Sequence, residues 1–244
     1  MATANTGIDA FDLAIGRVLA KKYVVQRKLG AGWEGEVYEV VEQRTGIRRA
    51  AKLYYPQRNL RDRAVRYYAN KLELLRKCSM VTQYAHSETV RLRGQDVTCM
   101  LSELVEGEIL SEFVRRQPGK RLRPFEALHL CYALTCGVEE IHDAGEYHGD
   151  LHEDNVLVTR RGVFFDASFV DFFPRGRPTA ARFRDDVVDL AQLLFDAVGG
   201  AAHYRAQPRQ IKAICRGMRR QRILGAYPTV HHLRAHLESF SWDG

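Results

Sequence analysis

The sequence predicts an α+β chain in which short strands crowd the first hundred residues and helices dominate the remainder. Tyr23-Val24-Val25 and Val37-Tyr38-Glu39-Val40-Val41 are β-branched and aromatic runs on either side of a glycine-rich turn, and Arg49-Ala50-Ala51-Lys52-Leu53-Tyr54 adds a third short apolar run. Further on, Ala127, Cys131, Leu134, Val138 and Ile141 recur at steps of 4, 3, 4 and 3, the stripe of a buried helix. With 244 residues, 45% of them hydrophobic, the chain can build a sizeable core.

The turn between the first two runs reads Leu29-Gly30-Ala31-Gly32-Trp33-Glu34-Gly35, so Gly30, Gly32 and Gly35 form G-x-G-x-x-G, followed by Val37. Glycines there let backbone N–H groups approach phosphates without interference from Cβ. A dinucleotide-binding fingerprint would need a helix after its glycines, and here a strand follows. Val37 is then placed to cover an adenine ring. Lys52 by itself could be a solvent-facing strand residue; at this distance behind a glycine turn it is placed to grip the α- and β-phosphates.

The most informative stretch is His148-Gly149-Asp150-Leu151-His152-Glu153-Asp154-Asn155, running straight into Val156-Leu157-Val158. An Asp followed five positions later by an Asn, on a loop that leaves a helix and enters a strand, suits phosphoryl transfer. Asp150 would orient and deprotonate an acceptor hydroxyl, and Asn155 would hold a Mg²⁺ that bridges ATP phosphates. Read in isolation the same residues also make a polar turn with a capping Asp. The glycine turn and Lys52, preceding it in the correct order, favour the chemical reading.

With these motifs in this order, the chain resembles the protein kinase superfamily over about residues 16 to 240, and its opening from Arg17 to Gly30 is similar to bacterial Ser/Thr kinases of eukaryotic type. The resemblance implies a bilobal fold: a small β-rich N-lobe over 16–105 and a mainly helical C-lobe over 106–244. A flexible leader over 1–15 is read from the composition of the chain's start, outside the resemblance. The resemblance itself implies that Thr98 to Gly107 forms the fifth strand and hinge, with Ser102 as gatekeeper and the main chain of Glu103 and Val105 meeting adenine. For the second metal ligand there are two candidates, Asp166 and Asp171. Asp171 is preferred because the strand-like pair Phe169-Val170 precedes it and Phe172 comes next; Phe173 then replaces the usual Gly, and Asp166 falls in a lengthened turn between strands. Asp186 is expected to cap the catalytic loop from below. The segment from Arg222 through Pro228-Thr229-Val230 resembles the end of a complete kinase core.

Three departures narrow what the resemblance implies. Gly149 stands where many regulated kinases carry an Arg that pairs with an activation-loop phosphate, so no such switch is expected. Asp171 and Asp186 lie only 15 positions apart with no Ala-Pro-Glu between them, which removes most of a peptide-docking platform. His152 occupies the place of a Lys that stabilises the transferring phosphoryl group, and H-G-D-L-H-x-x-N is closer to aminoglycoside, choline and other small-molecule kinases, and to several atypical bacterial kinases. The helix after Lys52 also lacks an obvious partner for that lysine. Its one acid, Glu73, points away from the stripe of Ala64, Val65, Tyr68, Leu72 and Leu75, and Glu88 is the remaining candidate.

Composition adds bounds. No apolar run approaches bilayer-spanning length, the amino terminus lacks a secretory pattern, and five Cys without metal-ligand spacing suggest reduced thiols in a cytoplasm. Delivery into another cell as an effector is compatible with this. The net charge of +7 gathers at Arg58, Arg61, Arg63 and Arg66, at Arg115, Arg116, Lys120, Arg121 and Arg123, and at Arg216, Arg219, Arg220 and Arg222. These are solvated faces or the docking site of an acidic partner; neither a membrane nor a nucleic acid is expected as partner, since no stacking platform accompanies the charge. The resulting expectation is a kinase using ATP and Mg²⁺, with Asp150, Lys52 and His152 catalytic and Asn155 and Asp171 holding metal. Gly30, Gly32, Gly35, Val37, Lys52, Glu103, Val105 and Asn155 would hold the nucleotide. Its acceptor is expected to be Ser or Thr of a protein; a small-molecule kinase and a nucleotide-binding pseudokinase are the alternatives.

Overall fold

A computed structural model of the chain describes residues 7–162, 164–172 and 176–240. These form two compact units, one of residues up to Arg76 together with Thr82–Val105, the other of Lys77–Val81 together with the residues from Glu106 onward.

The first unit is an antiparallel sheet with one helical crossover. Its elements are β1 (Val18–Leu19), β2 (Tyr23–Ala31), β3 (Gly35–Glu42), β4 (Arg48–Tyr54), α1 (Arg63–Leu74), β5 (Tyr84–Leu92) and β6 (Gln95–Glu103), and the sheet order is β1-β2-β3-β4-β6-β5. Alternation decides the faces. Val25, Tyr38, Val40, Ala51, Leu53, Val97, Cys99 and Leu101 are buried in one core cluster, and Ile8 and Phe11 join it. Phe11 stacks on Tyr55 with ring centroids 5.2 Å apart.

Residues 7–15 are therefore not the loose leader that the sequence suggests. They are tied down as well as packed: the buried Glu36 carboxylate accepts the Phe11 and Asp12 N–H groups at 3.1 and 3.2 Å, and also meets Tyr38, Tyr55 and Lys28. Burial pushes the Glu36 carboxyl upward, yet the hydrogen bonds from Tyr38, Lys28 and the two backbone N–H groups outweigh it and hold it below the usual carboxylate range. Farther along the chain, α1 begins under an Asn59 side chain that accepts the Ala64 and Val65 N–H groups at 3.1 and 3.2 Å. It buries Val65, Tyr68, Lys71 and Leu72.

The second unit is mainly helical. It contains β7 (Glu108–Ile109), α2 (Leu110–Arg116), α3 (Pro124–Asp143), β8 (Val156–Arg161), β9 (Phe164–Phe169), α4 (Ala180–Ala197), α5 (Gly200–Tyr204), α6 (Arg209–Cys215), α7 (Arg220–Ala226) and α8 (Val230–Glu238), with β7-β8-β9 as a small antiparallel sheet. The five stripe residues of α3 are all buried. Segment 77–81, expected in the first unit, belongs here because its groups bond to α3 and β9. Ser79 donates to the Glu140 carboxylate, Phe169 N–H donates to Met80 O at 2.7 Å, and Val81 bridges to Phe169. The approach is so close that a Cβ on Gly137 would crowd Met80 Sδ and the buried Phe169 ring, so a larger residue at that point of α3 would force these side chains to shift.

Candidate active site

In the first unit the glycine turn closes β2 onto β3. Gly32 N–H donates to Gly35 O and Tyr55 N–H to Glu34 O, both at 2.9 Å. A Cβ on Gly35 would come within 1.9 Å of Leu53 O, so this glycine is required by the approach of β4; a Cβ on Gly30 or Gly32 would meet nothing within 4 Å. Val37 lies opposite Lys52 in the β3–β4 register, and Ser102, buried on β6, lies opposite Ala50. The Glu103 N–H is committed to Gln83 O at 2.9 Å. Val105 ends the unit.

Lys52 Nζ stands 3.1 Å from Glu34 Oε2 and 5.0 and 5.4 Å from the ring centroids of Tyr68 and Tyr54. Glu73 is 60% exposed and pairs with Arg76 at 3.1 Å, as the helical arithmetic expects of a surface residue. Glu88 is taken by Lys22 at 2.6 Å. Sequence reasoning missed Glu34 as a partner of Lys52. The available signal was a carboxylate lodged inside the glycine motif itself.

In the second unit, α3 leads into the loop that carries His148 to Asn155. The loop hangs from Asp186 near the start of α4: this wholly buried carboxylate accepts the His148 and Gly149 N–H groups at 2.8 Å each and faces His142 Nε2 at 2.9 Å. Gly149 has φ +78°, a left-handed conformation that glycine adopts without strain. The His148 ring packs against Phe169 and Phe172. These contacts fix the backbone, and the Asp150 side chain emerges from it 55% exposed.

Asn155 is buried behind Asp150. Its Nδ2 donates to Asp150 O at 2.8 Å, reaches Asp150 Oδ2 at 3.4 Å and lies 2.9 Å from His152 Nε2. His152 Nε2 is also 3.8 Å from Asp150 Oδ2, so all three side chains gather in one place. Val170 N–H donates to Asn155 O at 3.0 Å, which sets Asp171, at φ +52°, beside the loop. A non-glycine residue held there carries backbone strain of the kind that clusters at functional sites. Asp166 sits in β9 opposite Thr159 and pairs with Arg161 at 2.6 Å, in a regular strand and not in the lengthened turn expected for it. Phe172 is buried, and Phe173 lies outside the described residues.

On α4, Asp189 follows Asp186 by three positions. Burial pushes its carboxyl up to about 7, and the nearby Asp186 and Asp185 add to that against the opposing pull of Arg220. The arginine clusters are partly engaged within the chain: Arg58 stacks on Trp33 at 4.2 Å, and Arg116 and Arg220 pair with Glu108 and Asp185.

A family model described as protein kinase domain matches residues 23–172, more than half of the chain, from β2 through β9 to Phe172. The chain belongs to the protein kinase domain family. Among curated relatives of this kinase domain, Serine/threonine-protein kinase pkn2 of Myxococcus xanthus is 29% identical over 159 residues, 64% of this chain and 18% of that protein. Serine/threonine-protein kinase PknA of Mycobacterium tuberculosis is 27% identical over 152 residues, 61% of this chain and 35% of PknA. The match thus spans well under half the length of either relative. The solved Mycobacterium tuberculosis PknI kinase domain covers 93% of this chain and 98% of its own at a TM-score of 0.64, and a double mutant of it reaches 0.68. At 18 and 19% identity these likenesses speak for the fold alone.

Proposed function

We propose that this kinase domain transfers the γ-phosphoryl group of Mg-ATP to a hydroxyl, and that the acceptor is Ser or Thr of a protein. The observation that carries the reading is the loop around Asp150. The accessible carboxylate that a general base needs is presented by a backbone whose His148 and Gly149 N–H groups donate to the buried Asp186 carboxylate and are held in place by it. Asp150 would align the acceptor hydroxyl and take its proton. Lys52 would hold the α- and β-phosphates beneath the glycine turn, with Val37 against the adenine and the main chain of Glu103 and Val105 bonding its edge. His152, close to both Asp150 and Asn155, stands where protein kinases place a Lys that stabilises the transferring group.

The donor set is compatible with Mg²⁺. Asn155 uses its Nδ2 on Asp150 O, which turns its amide oxygen to other partners, and the Val170-to-Asn155 bond keeps Asp171 next to it. Among the described residues no group of three or more His, Cys, Asp or Glu side chains is arranged to hold a metal ion. An amide oxygen and a carboxylate, completed by water and phosphate oxygens, make the sparse oxygen set that Mg²⁺ prefers. Bound there, the ion would neutralise charge on the phosphates.

The names of pkn2 and PknA support a protein acceptor, as does the amino-terminal resemblance to bacterial Ser/Thr kinases. A small-molecule acceptor is favoured by Gly149, His152 and the short interval from Asp171 to Asp186. The reading puts the reaction in a cytoplasm, where five unpaired thiols stay reduced. γ-labelled ATP, offered with a protein extract and a metabolite pool, separates these readings. Label on phosphoserine or phosphothreonine supports the proposal, label on a metabolite supports the second reading, and nucleotide binding without any transfer would leave only a binding module.

A further inference from the structure

The Lys52–Glu34 pair lies on a definable face of the first unit. In the β3–β4 register Lys52 is opposite Val37 and Tyr54 is opposite Gly35, and paired residues two apart along a strand share a face. The Glu34 carboxylate therefore reaches Lys52 on the face that carries Val37, where the proposed function seats the nucleotide. Its approach is anchored by the bond from Tyr55 N–H to Glu34 O, and the two side chains are largely shielded, Lys52 at 12% exposure and Glu34 at 20%. The helix packed against this sheet supplies no carboxylate for the purpose. The one acid of α1 is the exposed Glu73, its buried basic residue is Lys71, and what it turns toward Lys52 is the ring of Tyr68.

The geometry points to Glu34 as an internal rival of the nucleotide: its carboxylate and the phosphates of ATP compete for Lys52, so this residue of the glycine turn sets the affinity for nucleotide. The inference rests on the proposed kinase reading. A carboxylate and a phosphate offer an ammonium the same kind of anionic oxygen, while the two anions repel one another at hydrogen-bond range in a shielded site. Nucleotide binding must then draw Lys52 away from Glu34 and move the turn. Trp33, next to Glu34 and stacked under Arg58, would report that movement, and the second tryptophan of the chain, Trp242, can be silenced.

The test is a titration of the full chain, carrying Trp242→Phe, with Mg-ADP and Mg-ATP, followed by Trp33 fluorescence and by calorimetry. Glu34→Gln and Glu34→Ala are expected to bind about fivefold more tightly than the parent, the factor that corresponds to losing one partly shielded ion pair. Lys52→Met is expected to bind more weakly, and the Glu34 effect should vanish in its background, since the two residues act on one interaction. Unchanged or weaker binding in both Glu34 variants, with Lys52→Met still impaired, overturns the inference and leaves the kinase reading standing. No nucleotide binding by any of the proteins overturns both.

Discussion

Asp186→Ala is expected to cost the chain about 3 kcal/mol of stability and most of its activity. The carboxylate is wholly buried and holds two backbone N–H groups of the loop at 2.8 Å each. Hydrogen bonds to a charged group contribute roughly 1.5–3 kcal/mol apiece, which sets a ceiling of about 6 kcal/mol for the two. Removing a buried charge returns part of its desolvation cost, so a net loss of about half that ceiling is expected. Against a typical total of about 5–15 kcal/mol this is a large share. Asp186→Asn keeps one acceptor oxygen but turns an amide NH₂ toward the other donor, and should fall between alanine and wild type. Denaturant unfolding measures the effect as a lower midpoint at unchanged slope. Phosphotransfer should be measured where the variant is still folded. A loss under about 1 kcal/mol with activity retained would refute the idea that the loop is suspended from this carboxylate.

Asp189 makes a pH-dependent case: its folded carboxyl at about 7 binds a proton more tightly than the unfolded one near 3.8, so stability is lost as pH rises through that window. The shift has a ceiling of about 4 kcal/mol, which partial solvent exposure cuts to about 1–2 kcal/mol. Asp189→Asn should therefore be more stable than wild type at about pH 8 and nearly equal to it at about pH 3.5, and equal stabilities at both ends would contradict the assignment. Glu73→Gln should stay within about 0.5 kcal/mol of wild type and remain active, whereas Lys52→Met should lose transfer. Equal impairment of the two would restore an ordinary lysine–helix carboxylate pair. Asp171→Ala should abolish the Mg²⁺ dependence of ATP binding and Asp166→Ala should not, because Asp166 is already paired with Arg161 in a strand; the reverse result would move the metal ligand five residues upstream.

Local periodicity and motifs confined to one loop were legible in the sequence. The stripe of α3, the strands on either side of the glycine turn and the outward direction of Glu73 all derive from spacings of a few residues. The amino-terminal strap was illegible for the opposite reason. Ile8 and Phe11 belong to a short, largely apolar run, Ile8-Asp9-Ala10-Phe11-Asp12-Leu13-Ala14-Ile15, too brief to declare an element, and their burial depends on Glu36 and Tyr55, far along the chain. Glu36 itself looks like the exposed member of an alternating strand until the strap covers it. Segment 77–81 gives no local sign that its partners are Glu140 and Phe169. The Glu34–Lys52 pair joins a turn to a strand, 18 positions apart, and no periodicity marks such a contact, whereas helical spacing draws attention to the acid of α1.

The most direct test of the central claim compares wild-type protein with Asp150→Asn in γ-labelled ATP transfer, with Mg-ADP binding measured on the same samples. The base acts on the acceptor and touches the nucleotide little, so the account predicts label on Ser or Thr with the wild type, a loss on the order of 10²-fold or more in the variant, and equal affinity for Mg-ADP. Turnover by Asp150→Asn close to that of the wild type would contradict it.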